Sequence, residues 1–216
     1  MNEMCLQIKD LSHSYDNEMF SIKTLNLEIR KGERVSIQGP SGCGKSTLLR
    51  LIAGLEKPSK GKIFVSGKEV ANEVFSMPPE KRDVGLVVQE KALFPHLSVL
   101  ENICFGIRKL PNKNQIAKEL LGLFKIDRLK EKYPHQISGG EQQRVAFARS
   151  LAPSPKFLML DEAFSALDPD LKKTLYEEVT DIFSSKNSTV LLVTHDSEEA
   201  TLLTDRQLIM KNGELV

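Results

Sequence analysis

The stretch Gly39-Pro40-Ser41-Gly42-Cys43-Gly44-Lys45-Ser46 decides the fold. Its spacing is G-x-x-x-x-G-K-[ST], and it lies between a predicted strand, Arg34 to Gln38, and a predicted helix. That helix carries Leu48, Leu51 and Ile52 on one face, and Gly54 can end it. Each residue type has a chemical reason to be there. Glycines leave room for backbone N–H groups to converge on anionic oxygens, and the helix adds the positive end of its dipole. Lys45 brings a mobile point charge for terminal phosphates. The Ser46 hydroxyl, followed by Thr47, is a hard oxygen ligand suited to Mg2+. On average residue frequencies, a chance match in a chain of this length is on the order of one percent.

On either side of this loop the patterning alternates between strand and helix. Leu25, Leu27 and Ile29 alternate with Asn26, Glu28 and Arg30, the two-residue period of a half-buried strand, and Lys31-Gly32 makes a turn into the next. Residues 61–66 and 83–88 read as further strands, and the hairpin signals before residue 75 predict a small antiparallel sheet beside the core. From about Leu97 to Leu151 the period becomes helical, with Ile116, Leu120, Leu121 and Phe124 in one set and Val145, Ala148 and Leu151 in another. Strands return at Phe157–Leu160 and Thr189–Val193, flanking a helix that carries Leu171, Leu175, Val179 and Ile182. Continuously apolar strands between helices predict a parallel sheet covered on both faces, interrupted by a helical insert of roughly 60 residues.

Composition removes several function classes. The 216 residues hold 30 Lys+Arg against 29 Asp+Glu, a formal +1, so no net field draws the chain to nucleic acid or anionic lipid. No apolar run exceeds four residues, far short of the ~20 a membrane-spanning helix needs, and Glu3, Lys9 and Asp10 occupy the place of a leader's apolar stretch. Cys5, Cys43 and Cys104 are odd in number and widely spaced, which argues against a disulfide framework or a zinc site.

Two further stretches carry chemistry. Phe157-Leu158-Met159-Leu160-Asp161-Glu162 ends a buried strand in two carboxylates, which delivers Asp161 to the sheet edge where ligands of open α/β sheets bind. Asp161 is placed to hold Mg2+ and Glu162 to act as a general base on water. Read alone, the pair is equally an acidic helix start. Ile137-Ser138-Gly139-Gly140-Glu141-Gln142-Gln143-Arg144 precedes a helix expected to start near Glu141, and forms a second anion-binding helix start. One nucleotide does not need two such starts, so this one is expected to cap a nucleotide bound by another subunit.

Together these stretches closely resemble the ATP-binding subunits of ABC transporters, over essentially the whole chain. The resemblance implies an α/β P-loop NTPase fold of the RecA-like kind: a parallel-sheet core with an antiparallel β subdomain and an inserted α-helical subdomain. That is one domain over 1–216, with about 1–92 and 155–216 as core and about 93–154 as insert. Gly39 to Ser46 resembles the Walker A loop, Phe157 to Asp161 Walker B, Glu162 the catalytic glutamate, and Ile137 to Glu141 the signature motif. Gln89 resembles the Q-loop glutamine, a ligand of Mg2+ or the attacking water. Ser165-Ala166-Leu167-Asp168 resembles the D-loop, with Asp168 meeting the partner subunit, and His195 resembles the switch histidine. Tyr15 falls where the family places an aromatic against adenine. On the residues alone, Tyr15 is also a half-buried strand aromatic and His195 a core-edge histidine. Ile137 and Glu141 depart from the usual Leu and Gln, and Glu141 is expected to face solvent.

The implied activity is hydrolysis of ATP with Mg2+ by a head-to-tail homodimer, or a heterodimer with a paralogous ATPase. The implied place is the cytoplasmic face of the cell membrane, where integral permease subunits dock near Leu93-Phe94-Pro95-His96-Leu97. That segment reads equally as insert core. Bacterial importers supply the nearest pattern, which adds an extracytoplasmic solute-binding protein. An exporter or lipoprotein-release ATPase shares the motifs. A soluble chromosomal or ribosomal ATPase is disfavoured, since sustained heptads, a basic stripe and a second motif set are all absent. Ending at Val216, the chain is expected to be a bare cassette without a C-terminal regulatory domain.

Overall fold

The computed structural model describes residues 3–15, 20–89, 92–165, 167 and 169–216. In chain order the elements are β1 (Met4–Ser14), β2 (Phe20–Arg30), β3 (Arg34–Gln38), α1 (Lys45–Ala53), β4 (Lys60–Val65), β5 (Lys68–Ala71) and β6 (Val84–Val88). There follow α2 (Val99–Cys104), α3 (Lys113–Leu123), α4 (Gly139–Leu151), β7 (Phe157–Asp161), α5 (Pro169–Ser185), β8 (Val190–Val193), α6 (Ser197–Leu203), β9 (Arg206–Lys211) and β10 (Glu214–Leu215). The chain divides into two compact units. One holds Met1–Leu86, Lys156–Asp161 and Phe183–Val216, and the other Val87–Pro155 with Glu162–Ile182.

The first unit contains both sheets. An antiparallel sheet runs in the order β2-β1-β4-β5, and a second sheet runs β10-β9-β3-β8-β7-β6. The second is parallel through β9, β3, β8 and β7, with β10 antiparallel at its edge. The residues of β2 explain its place: Leu25, Leu27 and Ile29 are buried while Asn26, Glu28 and Arg30 are exposed. In β8, Val190 to Val193 are all buried, as a strand covered on both faces requires. Side chains from both sheets share one core. Ile8, Leu11 and Ile22 lie with Val35, Ile37, Leu48, Leu51, Met159 and Leu191.

Helix α1 is fastened at its far end by a buried arginine. Arg82 is 1% exposed and donates from Nη1 to the Leu51 and Ile52 carbonyls at 2.8 and 3.0 Å, from Nε to the Met77 carbonyl at 2.7 Å, and from Nη2 to Ser76 Oγ at 2.8 Å. The final turn of a helix leaves carbonyls without intrahelical donors, and Arg82 supplies them. The Gly54 N–H meets the Arg50 and Leu51 carbonyls and closes the helix where its sequence predicts.

The second unit is helical. Helix α4 packs on α2 and α3. Phe124, Phe147, Phe164 and Tyr176 form a run of ring contacts, with centroids 6.2, 5.4 and 5.1 Å apart in turn. Arg144 pairs with Glu178, which also takes Lys125 at 3.1 Å. The start of α4 corrects the sequence expectation. The helix begins at Gly139 rather than near Glu141, because Ser138 Oγ accepts the Glu141 N–H at 3.3 Å and Glu141 Oε2 accepts the Ser138 N–H at 2.9 Å. This capping box outweighs the low helix propensity of two glycines. Among the described residues, no helix is long and apolar enough to cross a membrane.

Candidate functional site

In the first unit, three neighbouring strands of the parallel sheet end together. Ile37 of β3 and Asp161 of β7 both lie opposite Val193 of β8. The Gly39–Ser46 loop leaves β3 at this edge, Asp161 closes β7 there, and His195 stands two residues past β8. This is the carboxyl edge, where open α/β sheets take ligands.

The loop turns into α1 through Gly44, at φ 110°, where an added Cβ would collide with the Ser21 carbonyl. Lys45 is 6% exposed, and its Nζ donates to the Gly39 and Pro40 carbonyls at 2.8 and 2.9 Å. Cys43 is buried, with Sγ 3.7 Å from the same Nζ. Pro40, Ser41 and Gly42 are exposed. Ser46 Oγ donates to Asp161 Oδ1 at 3.2 Å, which brings together two residues that the sequence separates by 115 positions. A hydroxyl and a carboxylate side by side form a donor set of the kind Mg2+ takes, since it keeps waters and needs few protein oxygens.

Tyr15 is 58% exposed, which departs from a half-buried strand aromatic. Its hydroxyl lies 3.3 Å from Thr47 Oγ1, and its ring meets the His13 ring edge-on at 4.8 Å. The aromatic is thereby fixed to the first turn of α1. His195 is exposed and precedes a capped helix: Asp196 accepts the N–H groups of Glu198 and Glu199 at 2.9 and 3.4 Å. The buried Thr194 donates its hydroxyl to Glu199 at 2.5 Å and accepts the Asp196 N–H at 3.0 Å.

The second unit carries the other predicted residues. Gln89 is exposed, one residue past β6. Glu162 has φ 47°, the left-handed region that a non-glycine residue adopts at a cost of about 1–2 kcal/mol. The turn is held by Ser165, whose N–H and hydroxyl both donate to the Glu162 carbonyl, at 3.1 and 2.9 Å. Ser138 and Gly139 are exposed, whereas Gly140 is buried and a Cβ there would run into Leu171. Asp168 lies outside the described residues. Pro169 opens α5 beyond it, as the sequence predicts.

Glu141 corrects a second expectation. Its side chain is only 21% exposed, turned back on Ser138 and paired with Arg128 at 2.7 Å. The Ser138 backbone N–H holds the Glu141 carboxyl below the usual carboxylate value, with Arg128 acting in the same direction against partial burial. Leu93, Phe94 and Leu97 are half-buried, whereas Pro95 and His96 are exposed. Asn102, wholly buried, donates to the Phe94, Leu97 and Ser98 carbonyls at 3.1, 3.0 and 3.0 Å, and Phe94 stacks on Phe105 at 4.2 Å.

The family model described as ABC transporter matches residues 22–165. The spermidine/putrescine import ATP-binding protein PotA of Thermotoga maritima is 44% identical over 215 residues, covering 98% of this chain and 57% of its own length. The sulfate/thiosulfate import ATP-binding protein CysA of Pseudomonas putida is 42% identical over 218 residues, covering 97% of this chain and 65% of its own length. The chain thus spans less than two-thirds of either relative. Among solved structures, the dimeric ATP-binding cassette MJ0796 in a post-hydrolysis state with ADP and Pi superposes with a TM-score of 0.84. It is 32% identical, and the match covers 97% of this chain and 96% of that one.

Proposed function

The chain belongs to the ABC transporter family, and from that premise we propose that it hydrolyses ATP as a head-to-tail pair to drive import of a small solute through separate permease subunits. The observation that carries this reading is the 3.2 Å contact between Ser46 and Asp161, beside the Lys45 loop and the His195 strand end. In the proposed complex Tyr15 stacks on adenine, and Gly39 to Thr47 wrap the phosphates. Lys45 exchanges its two carbonyl partners for phosphate oxygens. Ser46 and Asp161, with Gln89, would hold Mg2+, which supplies charge neutralisation on the phosphates when bound. Glu162 orients and deprotonates the attacking water, and His195 donates to the terminal phosphate. Ser138 to Gly140 of the second copy, with Asp168 at the same interface, close over that phosphate, so the nucleotide joins the two copies. Hydrolysis removes the bridge, and each ligand state favours one arrangement.

Import rather than export is supported by the names of the relatives, both import ATP-binding proteins. This reading places the chain on the cytoplasmic face of the cell membrane, with an extracytoplasmic binding protein delivering the solute. The test is co-purification with a permease, followed by ATPase assay with candidate solutes and their binding protein. Solute-stimulated hydrolysis, lost in Lys45→Ala, is expected. A complex whose ATPase ignores every importer component would contradict the import reading.

A further inference from the structure

Glu141 places a full negative charge in the first turn of α4, beside the Ser138–Gly140 helix start that the proposed pair would aim at a terminal phosphate. A glutamine would complete the same capping box without that charge. The positive end of a helix is worth only about half an elementary charge, so it does not cancel a carboxylate facing a phosphate. Arg128 stands where the compensation is needed. It comes from the short 3-10 turn Asp127–Leu129 that follows α3, and its Nη2 donates to Glu141 Oε1 at 2.7 Å while its own side chain is 77% exposed. Glu141 Oε2 is meanwhile occupied by the Ser138 N–H at 2.9 Å. The carboxylate is therefore held on one side by the helix start and on the other by a guanidinium.

We propose that Arg128 is a positioning residue of the half-site donated in trans: it neutralises Glu141 and so allows Ser138, Gly139 and Gly140 to close on the terminal phosphate of a nucleotide bound by a second copy of this chain. The inference rests on the ATP-bridged pair proposed above. It assigns Arg128 no chemistry of its own, and its effect runs through Glu141. Removing the cation leaves an uncompensated charge at the closing surface. Removing both charges leaves a neutral capping box.

The experiment is a double-substitution cycle on the full chain in a Glu162→Gln background, which slows hydrolysis. The dimer dissociation constant is read by energy transfer between labelled copies in ATP and Mg2+. Arg128→Ala is expected to weaken the pair about tenfold, more at low than at high salt, whereas Arg128→Lys loses less than about threefold. Adding Glu141→Gln to Arg128→Ala is expected to restore the value of Glu141→Gln alone. An Arg128→Ala dimer of unchanged affinity would overturn the inference, as would a tenfold loss that persists once Glu141 is Gln. If the Glu162→Gln chain forms no ATP-dependent pair at all, the underlying reading fails and this inference falls with it. Thermal unfolding of Arg128→Ala, expected to match its parent, separates loss of pairing from loss of fold.

Discussion

Lys45 lies folded against its own loop, bound to two carbonyls that a phosphate would replace. Because the ammonium is nearly buried, the exchange trades neutral acceptors for charged ones without a large change in solvation. Lys45→Ala is therefore expected to reduce ATP hydrolysis by about 10²–10³-fold or abolish it, measured by phosphate release. Glu141 gives a pH prediction. The Ser138 N–H holds its carboxyl lower in the folded chain than in the unfolded one, so the folded state gains from the ionised form. That gain is whole above the unfolded value of about 4.3 and is lost as pH falls through the lower folded value. The urea-midpoint difference between the native chain and Glu141→Gln should stay constant from pH 8 to 6 and shrink below about pH 4. A difference that grows on acidification would refute the sign.

Among the elements, α1 is tied at both ends: Thr47 in its first turn meets the Tyr15 hydroxyl and its finish is bound by Arg82. Four donated bonds from one wholly buried guanidinium mean that Arg82→Ala leaves the Ile52 and Met77 carbonyls without that donor around a cavity, and the Leu51 carbonyl with only its 3.3 Å bond from Gly54. The expected cost is about 3 kcal/mol or more in urea unfolding, far above a typical surface substitution. The sequence makes α1 and the loop legible because glycine spacing and apolar periodicity are local signals. Arg82 is not legible, since its partners in α1 lie 31 and 30 residues away and a lone arginine in a polar stretch reads as exposed. The start of α4 fails for a different reason. Gly139-Gly140 reads as a break, and the Ser138-x-x-Glu141 capping pattern, present in the sequence, is the signal that would have corrected it. Nothing local announces that Arg128 reaches Glu141, or that Glu162 sits at positive φ.

For the whole molecule, the alternation of strand and helix foretells a parallel sheet and a helical region, and the sheet edge gathers the Lys45 loop, Asp161 and His195 as the motifs imply. The order β9-β3-β8-β7 is set by long-range packing of Val35, Ile37, Leu191 and Met159, which periodicity alone does not rank. In the proposed cycle ATP joins two copies and hydrolysis releases them. Sedimentation of the purified Glu162→Gln chain with Mg2+ tests it most directly. A species of twice the 24.2 kDa chain mass is expected in ATP and the single chain in ADP. The same sedimentation in both nucleotides, with ATP shown to be bound, would contradict it.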